Sequence, residues 1–222
     1  MYSERKVENN FLSQSAQAVW HSSMSAKSKN IIFPDGATDI ILKSTNDKLE
    51  IVFCGTMTER AVVSAVSDTT FWGLRFKPGF SSLFFDFSID QATNSVVDVS
   101  SLFEKNKLHE LMQAPVLNSQ VIENEIFKTF GDRLSSSEQI KKAKVVQALA
   151  QSCFGNVQKQ ALKLGFTRRH LSRLYTAHFG TSVRQSSRIL KLNRLIQIYF
   201  QNPTLSWSGL ATEAGFYDQS DM

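Results

Sequence analysis

The sequence predicts an α+β protein in three parts: a small antiparallel β barrel or sandwich, a helical linker, and an all-helical domain built around a helix-turn-helix. Three observations predict this order. Short β-rich segments separated by turn residues fill the first 80 residues. Apolar residues at helical spacing then take over. The last third contains two glycine-centred turns and an excess of positive charge. The boundaries are placed at residues 1–95, 96–138 and 139–222.

Six apolar segments in the first part, the first of which starts at Val19-Trp20, are short and rich in β-branched or aromatic residues. Proline and glycine occur between them where tight turns need them, at Pro34-Asp35-Gly36 and Lys77-Pro78-Gly79. Short strands at this spacing predict an antiparallel barrel or a sandwich, and the pattern does not choose between the two. The segments are Val19-Trp20, Ile31–Phe33, Ile40–Leu42, Leu49–Phe53, Arg60–Ser64 and Phe71–Phe76.

An aromatic-rich stretch begins with the last of these strands and would suit the wall of an apolar pocket. Trp72, Phe76 and Arg75 are the ligand-binding candidates, and Arg75 could clamp a carboxylate. The competing interpretation is favoured for each side chain. It places the aromatic rings in the core and pairs the arginine with Asp35 or Asp39, or leaves it in solvent. These residues do not identify a ligand.

Residues 96–138 contain two partial apolar stripes with helical spacing. A capping box at Ser100–Glu104 starts the first stripe, and Pro115 ends it. The second stripe runs from Val121 to Phe130 and ends at Gly131. These helices are expected to pack on the β domain or on a dimer partner. A serine run then precedes a helix that is expected to begin near Ser137 and to end at Ala150.

The stretch from Asn156 to Phe179 predicts two helices joined by a tight turn. The first helix runs over 157–164 with Asn156 as its N-cap, and Gly165 makes the turn. Thr167 caps the second helix, and Gly180 ends it. One face of the second helix is apolar, with Leu171, Leu174, Tyr175 and His178. The other face is polar, with Arg169, Ser172, Arg173 and Thr176.

The alanine, glycine and phenylalanine of this turn recur 50 residues later. Ala161, Gly165 and Phe166 align with Ala211, Gly215 and Phe216. The segment between the copies, Val183 to Phe200, reads as one helix that ends at Asn202-Pro203. Eighteen residues would span about 27 Å, close to the one-turn spacing of about 34 Å between two DNA half-sites. The helix could equally be the core of its own bundle.

From Gln139 to Thr212 the sequence has no Asp or Glu but twelve Lys or Arg. A segment without carboxylates repels itself unless it meets a polyanion. Double-stranded DNA is the expected partner, with an affinity that falls as salt rises. A membrane surface is the rival, but the cations do not lie opposite one broad apolar face.

These segments resemble the AraC/XylS family of bacterial transcription regulators. The resemblance covers Lys141 to the end, through ALKLGFTRRHLSRLYTAHFG and LATEAGFYDQS. The segments PDGATDIIL and GLRFKPG resemble the β domain that precedes many such DNA-binding regions. The resemblance implies a cytoplasmic bacterial regulator with two helix-turn-helix modules, in which the β domain senses a small-molecule effector or forms a homodimer. The second module is expected to be incomplete, because the chain stops at Met222.

The helix 167–179 is expected to enter the major groove of DNA, where arginine reads guanine. Base contacts are assigned to Arg169 and Arg173, with Ser172 and Thr176 beside them on the same face. Phosphate contacts are assigned to Arg168, Lys163 and the helix end at Asn156. By resemblance to the family, Gln219 and Ser220 start the second reading helix.

An enzyme is not expected, because the four histidines are scattered and no catalytic or metal-binding motif is present. No cofactor, metal site or membrane span is predicted. Cys54 and Cys153 suit a reducing compartment as free thiols. Two other functions stay open: a ligand- or partner-binding module whose C-terminal domain binds DNA poorly, and a regulator that dimerises through its helices.

Overall fold

A computed structural model describes residues 2–8, 11–25, 28–45, 48–65, 68–103, 119–131, 137–154 and 156–220. Each of the six strands expected from the sequence is present, and β1 and β8 are additional. The strands are β1 (Tyr2–Lys6), β2 (Ala16–Met24), β3 (Ser28–Ile32), β4 (Thr38–Thr45), β5 (Lys48–Cys54), β6 (Ala61–Ala65), β7 (Thr69–Phe76) and β8 (Val96–Asp98).

The strands form a six-stranded sheet in the order β1-β2-β7-β4-β5-β8 and a two-stranded ribbon of β3 and β6. Every pair is antiparallel, as predicted. Among the described residues the sheet does not close into a barrel, because its edge strands β1 and β8 do not pair with each other. The ribbon residues Asn30, Ile32 and Val63 line a groove together with residues from one face of the sheet.

The opposite face of the six-stranded sheet carries the main core. Alternation along β7 sends Trp72, Leu74 and Phe76 to this face, where each is at most 4% exposed. Phe76 meets the rings of Phe84 and Phe130, whose centroids lie 5.1 and 5.8 Å away. Short 3₁₀ turns at Phe80–Leu83 and Ile89–Ala92 close this side of the sheet.

The helices follow the sheet with bounds close to those expected. Ile126 and Phe130 of α1 are fully buried, so the second apolar stripe does pack on the strands and turns of residues 2–98, which we call the β-half. The first stripe lies largely at 104–118, outside the described residues. The helices are α1 (Ser119–Gly131), α2 (Ser137–Ala150), α3 (Val157–Lys163), α4 (Arg168–Phe179), α5 (Val183–Gln201) and α6 (Trp207–Ala214).

Buried apolar residues form two separate clusters. The larger one is continuous from the sheet through α1 and α2 to α4, where it includes Leu171, Tyr175 and Phe179. The smaller one joins the end of α5 to α6, with Leu195, Leu210, Ala211, Ala214 and Phe216. Since the larger cluster crosses the boundaries drawn from sequence, the division at 1–95, 96–138 and 139–222 stays a prediction.

Among the described residues, no helix is long and apolar enough to cross a membrane.

Candidate nucleic-acid interface

Helix α4 has one buried and one exposed face, at the positions that the sequence pattern indicates. Leu171 and Tyr175 are fully buried, and Leu174 and His178 are half-buried. The arginines lie opposite. The exposed residues of α4 are Arg168, Arg169, Ser172 and Arg173.

Local hydrogen bonds fix the orientation of this outer face. The hydroxyl of Thr167 accepts from the N–H of His170 at 3.2 Å, so Thr167 is the N-cap, as predicted. The Thr176 hydroxyl is half-buried and donates to the carbonyl of Ser172 at 3.0 Å. Arg173 Nη2 lies 3.3 Å from Nδ1 of His170. The Arg173 guanidinium is thus held along the first turns of the helix.

The two glycine turns found by the 50-residue offset have the same backbone geometry. Gly165 and Gly215 adopt left-handed φ angles of 70° and 89°. In each turn the following phenylalanine N–H donates to the alanine carbonyl five residues back, at 2.8 Å for Phe166 and 2.9 Å for Phe216. This is the Schellman end of a helix. The sequence repeat therefore reflects a repeated helix ending.

The remaining predicted interface residues are exposed, but they differ in how free their polar groups are to meet a phosphate. Arg168 and Lys163 are exposed on either side of the Gly165 turn. Asn156 caps α3, where its side chain accepts from two backbone N–H groups. Those two N–H groups are already satisfied by the asparagine, so fewer remain for a phosphate. Gln219 and Ser220 are exposed beyond the end of α6.

Helix α5 extends the cationic surface towards the second turn. Its 19 residues end at Gln201, as Asn202-Pro203 indicates, and span about 28 Å. Arg184, Arg188 and Arg194 are exposed. Lys191 lies over the Phe216 ring, 5.3 Å from its centroid, which ties α5 to the second glycine turn.

Hydroxyl groups of the β-half hold the C-terminal end of α4. The last carbonyls of a helix have no partner inside the helix. The Thr56 hydroxyl donates to the carbonyl of Phe179 at 2.8 Å, and the Thr93 hydroxyl donates to that of Gly180 at 2.5 Å. Ser88 donates to the carbonyl of Ala177 at 3.3 Å. These contacts link residues 87 to 123 positions apart, so spacing in the sequence could not reveal them.

Side chains complete this contact between α4 and the sheet. The Phe179 ring lies against Gly79, where a Cβ would come within 2.6 Å of the ring. His178 Nδ1 lies 2.7 Å from the Ser82 hydroxyl. Burial lowers the pKa of His178, which favours the neutral ring in the folded chain. The β-half and the arginine-bearing helix are therefore one packed unit along this edge.

The two cysteines are free thiols. Sγ of Cys153 lies 2.5 Å from the hydroxyl of Tyr175 under α4. Burial raises the pKa of the Cys153 thiol, which favours the protonated form. This cysteine therefore acts as a packing and hydrogen-bonding residue beneath the helix.

The three ligand-binding candidates of the β-half do not lie together. Trp72 and Phe76 face the main core, as the competing interpretation favoured, whereas Arg75 faces the ribbon. Arg75 pairs with Asp39 at 3.3 Å and with Asp35 at 3.5 Å. This guanidinium is thus occupied by carboxylates of its own chain. The period of two along β7 separates the candidates and could have shown it from sequence.

An apolar groove of about 390 Å³ lies between the six-stranded sheet and the ribbon. Trp20, Ile41 and Phe71 line it from the sheet, and Ile32 and Val63 line it from the ribbon. Sequence reasoning missed these residues as a set. In each strand of the sheet, every second side chain points away from the main core and towards the two-stranded ribbon. This alternation, together with the ribbon, is the signal that could have found the set.

The Trp20 side chain reaches across β7 because Gly73 has no side chain. A Cβ at Gly73 would lie 2.0 Å from Cε2 of the indole, well inside van der Waals contact. Lying across this gap, Trp20 Nε1 donates to Oδ1 of Asp39 at 2.8 Å. The indole therefore bridges β2 to β4 and lines the groove.

Comparison with known proteins gives a partial match. Residues 9–98, which include most of the β-half, match the family described as Domain of unknown function (DUF6597). No curated protein matches the chain.

Two solved structures resemble the whole chain distantly. One is fatty-acid-bound wild-type ToxT from Vibrio cholerae strain SCE256, at 14% identity and a TM-score of 0.39, covering 96% of this chain and 90% of that one. The other is ToxT from Vibrio cholerae O395, at 11% identity and a TM-score of 0.38, covering 99% and 90%. A likeness this distant assigns no function to the chain.

Proposed function

We propose that this chain is a sequence-specific DNA-binding transcription regulator of the AraC/XylS type, with α4 as the helix that enters the major groove. The observation that carries the proposal is the division of α4 into a buried apolar face and an exposed face that bears Arg168, Arg169 and Arg173. Had these arginines packed inward against the sheet, the helix could not meet a duplex.

The charge of the surrounding segment supports the same function. Gln139 to Thr212 carries twelve cations and no carboxylate, so its cations have no acidic partner within the segment. A phosphate backbone neutralises such a surface and releases counterions when it binds. Arg169 and Arg173 are assigned to base edges, and Arg168 and Lys163 to phosphates.

The second glycine turn supports a second contact with the same duplex. Helix α5 lies between the two turns in the chain and is about 28 Å long, near the 34 Å of one DNA turn. Ser206 caps α6 by accepting from the N–H of Gly209, and α6 packs on α5 through its own apolar cluster. Gln219 and Ser220 follow this turn and are assigned to the second contact.

The contact between α4 and the β-half favours regulation over simple binding. Thr56 and Thr93 hold the last carbonyls of α4, and Gly79 accommodates its last aromatic ring. A change in the loops that carry these residues would alter the position of α4. The β-half is therefore proposed to sense an effector and to pass its state to the reading helix.

The test selects a preferred duplex from a randomised pool with the full chain, then measures affinity by fluorescence anisotropy over a series of salt concentrations. Arg173→Ala is expected to weaken the preferred duplex by about 1–3 kcal/mol and to relax the sequence preference. Lys163→Ala is expected to weaken all duplexes alike and to lower the salt slope by about one.

Lys48→Ala supplies the matched control, because Lys48 is an exposed cation on the β-half that pairs with Glu50. It should leave affinity, preference and salt slope unchanged. The proposal is wrong if no sequence is enriched from the pool. It is also wrong if Arg173→Ala and Lys163→Ala change the affinities for the preferred duplex and for other duplexes in the same way. The binding-module alternative predicts the first of these two results.

A further inference from the structure

His170 lies in the first turn of α4, directly after the Gly165 turn, and is half-buried. Its ring packs edge-on against Phe166, with centroids 4.8 Å apart and an interplanar angle of 77°. Phe166 is itself fixed, because its N–H donates to the carbonyl of Ala161 at 2.8 Å. The N–H of His170 donates to the Thr167 hydroxyl at 3.2 Å. Backbone and ring are both held, so the imidazole has a defined position at the start of the helix.

The imidazole of His170 meets the guanidinium of Arg173 on the surface of α4. Nη2 of Arg173 lies 3.3 Å from Nδ1 of His170. Residues three apart on a helix are neighbours on its surface. A guanidinium stays protonated and can only donate, so Nδ1 is the acceptor and the imidazole hydrogen is on Nε2. The contact therefore requires one tautomer of the neutral ring.

A neutral acceptor orients the Arg173 side chain without cancelling its charge. A carboxylate in the same place would neutralise the guanidinium and compete with DNA for it. No Asp or Glu occurs between Gln139 and Thr212, so the neighbouring sequence supplies none. Arg173 is exposed, and only one of the five N–H donors of a guanidinium is needed to meet Nδ1. The other donors remain for the two acceptors of a guanine edge.

Arg169, the other arginine assigned to base contacts, has no such support. It is exposed, and among the described residues its side chain makes no hydrogen bond or ion pair. A side chain that is ordered before binding loses less conformational freedom when it meets DNA. For one long side chain this difference corresponds to about three- to tenfold in affinity. The two arginines therefore differ in how far they are ordered in the free chain.

We propose that His170 is a positioning residue that orders the Arg173 guanidinium for base reading. Sequence preference then depends on His170, whereas affinity for DNA of any sequence does not. The effect on preference rests on the function proposed above for α4. The ordering of Arg173 is a property of the free chain and is measured without DNA.

The first test measures the order of the arginine side chains in the free chain, by the ¹⁵N heteronuclear NOE at each Nε. The value for Arg173 is expected to exceed that for Arg169, which is the internal reference. His170→Phe keeps a ring against Phe166 but removes the acceptor, and should lower the Arg173 value to that of Arg169. Equal values in the unaltered chain, or an Arg173 value that His170→Phe leaves unchanged, would overturn the proposal.

A matched pair of variants separates the acceptor from the shape of the side chain. Asparagine and leucine have nearly the same shape, but only asparagine has an oxygen near the position of Nδ1. His170→Leu and His170→Phe should each lower the ratio of affinities for the preferred and a random duplex by about three- to tenfold. His170→Asn should restore most of this ratio. All three variants should bind the random duplex alike, because phosphate contacts do not involve His170. Equal ratios for His170→Asn and His170→Leu would contradict the role of the acceptor.

An Arg173→Ala background decides whether His170 acts through Arg173. In that background His170→Phe should change the sequence preference no further. A loss of preference that persists there would show that His170 contacts DNA by itself, and would refute the positioning role.

Circular dichroism establishes that each variant is folded. Where a variant is not, the NOE values of the two arginines in the unaltered chain decide the question. If no duplex is enriched from the randomised pool, the function proposed for the chain fails, whereas the NOE comparison still tests the contact between His170 and Arg173. The two proposals therefore fail separately.

Discussion

Replacement of Gly73 by alanine tests the way in which the indole of Trp20 crosses the sheet. The new Cβ would lie 2.0 Å from Cε2 and 2.3 Å from Nε1 of Trp20. Ordinary contact needs about 3.5–4.0 Å, so the ring must move by roughly 1.5 Å. That movement separates the indole N–H from Asp39, which it now meets at 2.8 Å.

The expected cost has two parts. Forcing a methyl group into a packed site costs typically 1–3 kcal/mol. Loss of one hydrogen bond to the part-buried carboxylate of Asp39 adds about 1–2 kcal/mol, because Arg75 still donates to it. We expect Gly73→Ala to lower the free energy of unfolding by about 2–4 kcal/mol. For a chain of this length that corresponds to a fall of roughly 5–15 °C in the melting temperature.

Urea denaturation followed by circular dichroism measures the change, and a double-mutant cycle with Trp20→Ala isolates its cause. The methyl group of Gly73→Ala should cost little once the indole is gone, so the two changes should be strongly non-additive. Gly209→Ala, at a helical glycine with its nearest side-chain atom 3.3 Å away, is the control and should stay within about 1 kcal/mol of the parent. A cost below about 0.5 kcal/mol for Gly73→Ala, or additivity in the cycle, would refute the reasoning.

Two further predictions concern the contact between α4 and the β-half. Thr56→Val leaves the Phe179 carbonyl without its hydroxyl donor and should lower the free energy of unfolding by about 1–2 kcal/mol in urea titrations; an unchanged midpoint would contradict the contact. Burial lowers the pKa of His178, so the unfolded chain takes up a proton at higher pH than the folded chain. The free energy of unfolding should therefore fall as pH drops below the ordinary histidine value of 6.5, and His178→Gln should make that fall shallower. Burial also lowers the pKa of His21, which keeps part of the dependence. Denaturation at pH 7.5 and 5.5 checks this, and an identical loss in both proteins would count against it.

The helical part could be predicted closely because its signals are local. Thr167 and Gly180 mark the ends of α4 by chemistry that depends on the next three or four residues. The glycine turns recur for the same reason. Arginine exposure on α4 also followed from the 3.6-residue period. None of this needed knowledge of the rest of the chain.

The edge strands were missed for a physical reason. Every residue of β1 from Tyr2 to Lys6 is exposed, so no alternation of apolar and polar side chains marks it. Strand β8 has only three residues. Both become strands through pairing with a longer neighbour, which a single segment does not reveal.

The candidate site was half predictable. Pairing of Arg75 with Asp35 or Asp39 was one of the alternatives that the sequence left open. The two ion pairs support it. The hydroxyls that hold α4 were not, because Thr56 and Thr93 are 123 and 87 residues from the carbonyls that they meet. Such contacts depend on tertiary packing alone.

The division of the buried apolar residues into two clusters has a consequence for the order in which the chain opens. The cluster of Leu195, Leu210 and Phe216 shares no member with the one that runs from the sheet to Phe179. Amide protons of α6 should therefore exchange with deuterium at a lower opening free energy than those of α4. Helix α6 could loosen and re-form on α5 while α4 keeps its place.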